Sequence, residues 1–296
     1  MTIPSAVTTP YPPIKHVQCM SPAGLHRMAY KEWGDPRNPN VLVCVHGVTR
    51  VSDDFDDLAR ALSDVYRVVC PDVVGRGRSG WLRNPAYYLV PQYVSDMVTL
   101  LARLDADSVD WVGTSMGGLI GMGLASLEGN PVRRLVLNDI GPTLNHAALE
   151  RIGAYIGQQV MFDTQQEAEK YIRDITAPFG PHTELQWKKL ANDVLRQDAE
   201  GKWIRHYDPQ LAVPFRSSTV ETTAQAEKMM WAAYDAIRCP TLLVRGAESD
   251  LLTAQTAAEM TGRGPKASLV QFEGVGHAPT LMHGDQIAAV QKFLLA

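Results

Sequence analysis

Three side chains, far apart along the chain, could together perform acyl chemistry: a hydroxyl, an imidazole and a carboxylate. The hydroxyl is Ser115, at the centre of Gly113-Thr114-Ser115-Met116-Gly117. An apolar run, Val109-Asp110-Trp111-Val112, precedes this pentapeptide, and a second, Leu119-Ile120-Gly121-Met122-Gly123-Leu124-Ala125, follows it. The order is strand, tight turn, helix, with the serine at the apex. That geometry lifts a hydroxyl above a sheet as a nucleophile, and side chains at positions 113 and 117 would collide with so sharp a turn. A helix starting at Met116 would aim its free N–H groups and positive dipole end at the reaction centre.

A serine needs a base, and His277 lies in Gly274-Val275-Gly276-His277-Ala278-Pro279, a loop after the last predicted strand. There it could deprotonate Ser115 and later protonate a leaving group. The imidazole needs an acid to fix its tautomer and stabilise its cation. Asp250, in Gly246-Ala247-Glu248-Ser249-Asp250 after the strand Thr241–Arg245, is the expected acid. Glu248 in the same loop and Asp139, just after the preceding strand, are the alternatives. Two backbone N–H groups should face the developing oxyanion, those of Met116 and of Val48 in His46-Gly47-Val48-Thr49-Arg50. His46 is expected to brace that loop rather than react. Arg50 could meet a substrate carboxylate or simply form an ion pair at the surface.

The elements that must carry these groups alternate. Strands are expected at Lys15–Met20, His26–Trp33, Val41–Val45, Arg67–Cys70, Val109–Gly113, Arg134–Asn138, Thr241–Arg245 and Ser268–Phe272. Helices are expected at Asp53–Leu62, Pro91–Leu104, Met116–Glu128, Thr253–Thr261 and Asp285–Leu294. Such alternation predicts an α/β architecture with a mostly parallel eight-stranded sheet flanked by helices. Val41-Leu42-Val43-Cys44-Val45 has no polar alternation, as befits a strand covered on both faces. The rhythm breaks between the sixth and seventh predicted strands. Residues 142–237 are helical in pattern and more polar, and read as a cap over the carboxyl edge of the sheet, where open α/β sheets bind ligands. Residues 14–141 and 238–296 then form the core, and residues 1–13, rich in Thr, Pro and Ser, a floppy or draped arm. Cap aromatics Trp187, Trp203, Phe215 and Trp231 are candidate apolar walls of the pocket.

Composition narrows the classes. The chain has 296 residues, 45% apolar and 20% charged, with a formal net charge of −4 and a pI near 6.1. Nothing there attracts nucleic acid or an anionic membrane, and no apolar run approaches the ~20 residues of a membrane span. The first residues lack the basic start and apolar core of a signal peptide. Cys19, Cys44, Cys70 and Cys239 show no metal-ligand spacing and read as free thiols in a cytoplasmic protein.

In this order the motifs resemble the α/β-hydrolase superfamily with a helical cap, over roughly residues 25–295. His46-Gly47 resembles its oxyanion loop, and Asp72-Val73-Val74-Gly75-Arg76-Gly77-Arg78-Ser79 its D-x-x-G-x-G-x-S turn. The latter lacks the G-K-[ST] ending of a phosphate loop and is expected to shape the chain beside the oxyanion strand. The resemblance implies a Ser-His-Asp enzyme, without cofactor or metal, that cleaves a small to medium carboxylic ester or lactone through an acyl-enzyme. Relatives acting on epoxides or haloalkanes carry an aspartate at the elbow, where Ser115 stands. Capped C–C bond hydrolases of vinylogous diketones usually carry Trp after the histidine, where Ala278 stands. A C–C hydrolase and a ligand receptor on the same fold remain the alternatives. Oligomeric state is not encoded in any of these motifs.

Overall fold

The computed structural model describes residues 11–143 and 152–296. Its frame is one eight-stranded sheet. The chain order is β1 (Lys15–Ser21), β2 (Gly24–Trp33), β3 (Val41–Val45), β4 (Arg67–Asp72), β5 (Val109–Thr114), β6 (Val132–Asn138), then, after a small second sheet, β10 (Thr241–Gly246) and β11 (Ser268–Phe272). The spatial order is β1-β2-β4-β3-β5-β6-β10-β11. β2 pairs antiparallel with β1 and β4, and the remaining neighbours run parallel. All eight expected strands are present within a few residues of their expected ends.

Side-chain alternation builds two apolar layers. Val41, Val43 and Val45 of β3 join Trp111 of β5 and Leu135 and Leu137 of β6 on one face. Leu42 and Cys44 join Val112 and Val136 on the other. The first face is covered by α2 (Val90–Leu104) and α3 (Met116–Ala125), through Met97, Leu100, Ile120 and Leu124. The second is covered by α1 (Asp56–Leu62) and the C-terminal helix Gly284–Leu294, through Leu58, Leu62, Val290 and Leu294. A strand with helices on both faces has no solvent side, so its sequence needs no polar alternation.

Two helix ends differ from expectation. The turn before α1 is a 3-10 segment, Ser52–Phe55, whose Asp53 and Asp54 spend their carboxylates on Lys31, Arg78 and Arg50. α3 stops at Ala125, and the Ser126 hydroxyl donates back to the Gly123 carbonyl.

The segment between β6 and β10 is not wholly helical, contrary to its sequence pattern. It holds helices Gln165–Thr176, Glu184–Asn192, Ala212–Arg216 and Val220–Ala236. It also holds a three-stranded antiparallel sheet of β7 (Met161–Phe162), β8 (Leu195–Gln197) and β9 (Trp203–Arg205), in the order β7-β9-β8. The reason is local: the Asp198 carboxylate accepts the N–H groups of Glu200 and Lys202, and Gly201 takes a left-handed φ of 79°. Those contacts close a hairpin that a helix could not contain. The segment is tied to the core by Gly77 N–H to the His206 carbonyl, by Tyr88 to Asp208, and by Lys189 to the Asp53 carbonyl and the Asp56 carboxylate.

Of the expected N-terminal arm, residues 1–10 lie outside the described residues. Tyr11 rests edge-on against Trp33, with ring centroids 6.0 Å apart. The four cysteines are free thiols. No helix among the described residues is long and apolar enough to cross a membrane.

Candidate active site

Ser115 sits between the end of β5 and the first residue of α3, at φ 51° and ψ −116°. That left-handed backbone is costly for a residue with a side chain, and it persists because the surroundings fix it. The Ser115 N–H donates to the Asn138 carbonyl, and the Ser115 carbonyl accepts from the N–H groups of Gly118 and Leu119. A Cβ at Gly113 would lie 2.2 Å from the Gly117 carbonyl oxygen, and one at Gly117 only 1.9 Å from that of Val45. Glycine at both positions is therefore a packing requirement of the turn.

His277, in the loop after β11, places Nε2 2.9 Å from Ser115 Oγ. Its Nδ1 lies 2.7 Å from Asp139 Oδ2. A carboxylate there only accepts, so Nδ1 carries the proton and Nε2 is free to accept from the serine hydroxyl. The imidazole thus meets Asp139, not Asp250, and the expectation for Asp250 is corrected on this point. Asp139 directly follows β6 at the carboxyl edge of the sheet and is fully buried. Its Oδ1 accepts the Gly246 N–H at 2.9 Å, and its Oδ2 accepts the Ser249 hydroxyl at 2.5 Å. The loop after β10, where the acid was expected, instead supplies donors that hold the acid of the neighbouring strand. Asp250 and Glu248 are exposed residues of that loop and line the cavity beside the serine. Asn138 joins the three loops, its amide donating to Thr114 Oγ1 at 2.9 Å and to the Pro279 carbonyl at 2.8 Å.

The loop after β3 carries Val48, and both Val48 and Gly47 line the cavity with Ser115. Met116 begins α3 immediately after the serine. His46 is fully buried: Nδ1 donates to the Gly47 carbonyl at 2.7 Å, and Nε2 accepts the Val73 N–H at 2.9 Å. Burial lowers its pKa, which keeps the ring neutral, as one nitrogen that donates and one that accepts require.

Arg76, which the sequence did not single out, spans the same region. Its Nε donates to the Val48 carbonyl at 2.8 Å, one Nη to the Val74 carbonyl, and the other reaches Met116 Sδ at 3.2 Å. One buried guanidinium thereby links the residues expected to supply the two oxyanion donors. The D-x-x-G-x-G-x-S turn exists to place it. Asp72 accepts the N–H groups of Ser52 and Arg78, while Ser79 accepts the Ala29 N–H and donates to the Asp72 carbonyl. Arg50 is likewise buried, and its Nε and Nη2 are held by Asp54, so its ion pair is internal rather than on the surface.

These groups open onto a cavity of about 630 Å³. Its apolar wall comes from the intervening segment and includes Ile152, Tyr155, Ile172, Ile175, Phe179 and Val194. The four aromatics expected there are elsewhere. Trp187 packs with Leu190 and Met282. Trp203 packs in the small-sheet cluster with Ile172 and Val194. Phe215 lies against Gly153, and Trp231 borders a separate open groove with Glu259 and Arg263. Aromatic content alone does not say which side chains turn inward, and here aliphatic residues do so together with Tyr155 and Phe179.

Among the described residues, Cys19, His26 and Asp96 bring a thiol, an imidazole and a carboxylate within 4.8 Å of one another. His26 Nε2 is bonded to Asp96 Oδ2 at 2.9 Å, and burial, with Asp96, pushes the Cys19 thiol up to about 12. A protonated thiol beside a bonded His-Asp pair fits a core cluster between β1, β2 and α2.

Known proteins resemble this chain in sequence and in fold. The chain is 58% identical over 285 residues, 95% of its length and 97% of the relative's, to the 3-hydroxybutyrate-oligomer hydrolase of Cupriavidus necator. A solved structure of a putative hydrolase from Rickettsia typhi superposes with a TM-score of 0.87 at 31% identity, covering 96% of this chain and 99% of that one. A solved alpha/beta hydrolase from Novosphingobium aromaticivorans superposes with a TM-score of 0.83 at 34% identity, covering 97% and 99%. The model of the alpha/beta hydrolase family matches residues 42–290. With that match running from β3 into the C-terminal helix and including the serine turn and the histidine loop, the chain belongs to the alpha/beta hydrolase family.

Proposed function

We propose that this protein is a serine hydrolase of carboxylic esters, acting through an acyl-enzyme on Ser115, and that short oligoesters of 3-hydroxy acids are its substrate class. One observation carries the chemistry: the unbroken hydrogen-bonded series Ser115–His277–Asp139 at the floor of a cavity with an apolar wall. The substrate class rests on the 58% identity, over nearly the whole of both chains, to a relative named for hydrolysis of 3-hydroxybutyrate oligomers.

As the serine oxygen attacks the ester carbonyl, its proton passes to His277 Nε2. The buried Asp139 carboxylate stabilises the imidazolium through Nδ1. The backbone N–H groups of Val48 and Met116 receive the oxyanion, held in place by Arg76 on one side and His46 on the other. His277 then protonates the departing alkoxide. A water, deprotonated by the same nitrogen, attacks the acyl-serine carbonyl and restores the hydroxyl. In this reading residues 142–237 act as the cap that excludes bulk water and shapes the acyl and alcohol subsites.

The test is hydrolysis of p-nitrophenyl butyrate and of a 3-hydroxybutyrate trimer, with intact-mass detection of an acyl adduct. Both substrates should turn over repeatedly. Ser115→Ala should lower kcat by about 10⁵–10⁶ and abolish the adduct. Turnover that survives Ser115→Ala would remove the serine from the chemistry. A single acylation event without turnover would favour a receptor.

A further inference from the structure

Arg205 ends β9, in the segment over the core, and lines the cavity that holds Ser115 and His277. It is 7% exposed. One terminal nitrogen, Nη2, donates to the carbonyls of Tyr155 at 2.8 Å and Gln158 at 2.7 Å. The guanidinium lies over the Tyr207 ring, 4.8 Å from its centroid, and 5.8 Å from that of Tyr171. These contacts fix its plane. Among the described residues, the other terminal nitrogen, Nη1, is buried without a hydrogen-bond partner, and no carboxylate there pairs with Arg205.

Of the other two arginines near the serine, Arg50 has a carboxylate partner, whereas Arg76 has none among the described residues but leaves none of its three nitrogens unbonded. Arg50 is held by Asp54 through Nε and Nη2, and Arg76 is bonded through Nε and both terminal nitrogens. A buried guanidinium is normally matched by a carboxylate, and an N–H removed from water normally finds an acceptor. Arg205 has a fixed plane, a full charge and an unused donor, beside a cavity made for a ligand. The missing partner is an anion that arrives with the substrate. Arg205 Nη1 offers a carboxylate a single charge-assisted hydrogen bond, since Nη2 is already committed to two carbonyls. The acidic side chains lining the same cavity, Glu248 and Asp250, come from the core loop after β10. They disfavour an anion on their own wall and so favour one orientation of a charged ligand.

We propose that Arg205 is the carboxylate anchor of this cavity, and that the preferred ester carries a free carboxylate: an oligoester bound by its acid terminus at Arg205 while an internal ester carbonyl lies at Ser115. This rests on the reading of the site as a serine esterase and narrows its substrate to anionic esters. Arg205 is a specificity residue in this account. It takes no part in proton transfer, so neutral esters should be cleaved without its help.

The test compares three substrates with the full-length protein: a 3-hydroxybutyrate trimer as the free acid, the same trimer with its terminal carboxyl methylated, and neutral p-nitrophenyl butyrate. Cleavage of the trimers is followed at their internal esters by chromatography. The free acid should be favoured in kcat/KM by about 10- to 100-fold, the range of one charge-assisted hydrogen-bonded contact, mainly through KM. Arg205→Met should erase the preference and leave p-nitrophenyl butyrate within a few-fold of the parent, and Arg205→Lys should restore part of it. Equal rates for acid and methyl ester in the parent protein would overturn the proposal without any variant, so a poorly folding Arg205→Met cannot shield it. Equal losses on all three substrates in a folded Arg205→Met would overturn it too, by marking Arg205 as purely architectural. If instead no ester is hydrolysed at all, it is the serine-esterase reading that fails, an outcome distinct from loss of the carboxylate preference.

Discussion

Asp139 and Asp250 show how little separates a carboxylate bonded to the histidine from a bystander. Both follow strands at the carboxyl edge of the sheet, and both lie between the serine and the histidine in chain order. Asp139 is fully buried and accepts from Gly246, Ser249 and His277, whereas Asp250 is exposed. Three hydrogen-bond partners and full burial fix the orientation of the Asp139 carboxyl group, which can thereby hold the imidazole in one tautomer. Asp139→Asn should therefore lower kcat/KM by about 10³–10⁴ with the fold retained, whereas Asp250→Asn should stay within a few-fold. Steady-state kinetics on p-nitrophenyl butyrate, with circular dichroism as the folding control, distinguishes the two. The reverse pattern would return the role to Asp250. The sequence held both candidates, because each sits one short step past an apolar run. What it did not disclose was the partner of Ser249, whose hydroxyl donates to Asp139 and commits the loop after β10 to a supporting part.

At the scale of elements, the serine turn is legible in the sequence because it depends on covalent geometry and close approach. Glycines flank the serine because β3 and the turn itself leave no room for a Cβ. Gly117→Ala would place a methyl against the backbone of β3, which cannot swing aside as a side chain can. It should destabilise the protein by at least the ~1–3 kcal/mol typical of overpacking, read as a fall in Tm or failure to fold. An unchanged Tm would show the turn to be looser than its contacts imply. Arg76 was hidden for the opposite reason. Its motif marked a turn, but the partners of its guanidinium belong to residues 48, 74 and 116, and no local pattern encodes their convergence. The small sheet β7-β9-β8 was masked by its brevity, since strands of two or three residues leave too little alternation to read against helical surroundings.

At the scale of the whole molecule, the segment between β6 and β10 is fastened to the sheet domain by charge. Lys31 and Arg78 pair with Asp53, Lys31 also pairs with Asp56, and Lys189 of that segment reaches the Asp53 carbonyl and the Asp56 carboxylate. Burial would raise the Asp53 pKa, but the Arg78 hydrogen bond and the Lys31 charge outweigh it and hold the group at about 2. A depressed carboxylate stabilises the folded state fully above its unfolded pKa, near 4, and loses that contribution as pH falls towards 2. The shift corresponds to about 2 kcal/mol. Denaturant unfolding of the parent and Asp53→Asn should differ most above pH 5 and converge towards pH 2, and a gap that does not narrow with acid would exclude this linkage. The sequence alone determined the chain order of the eight strands of the main sheet, the turn that carries Ser115 and the loop that carries His277. Each of those is written in local periodicity, turn chemistry or a short motif. Only the tertiary structure decided which acid meets the histidine, which arginines are satisfied and which residues wall the cavity. Those facts depend on contacts between groups remote in the chain, His277 and Asp139 being 138 positions apart, and on which residues between β6 and β10 turn towards the sheet.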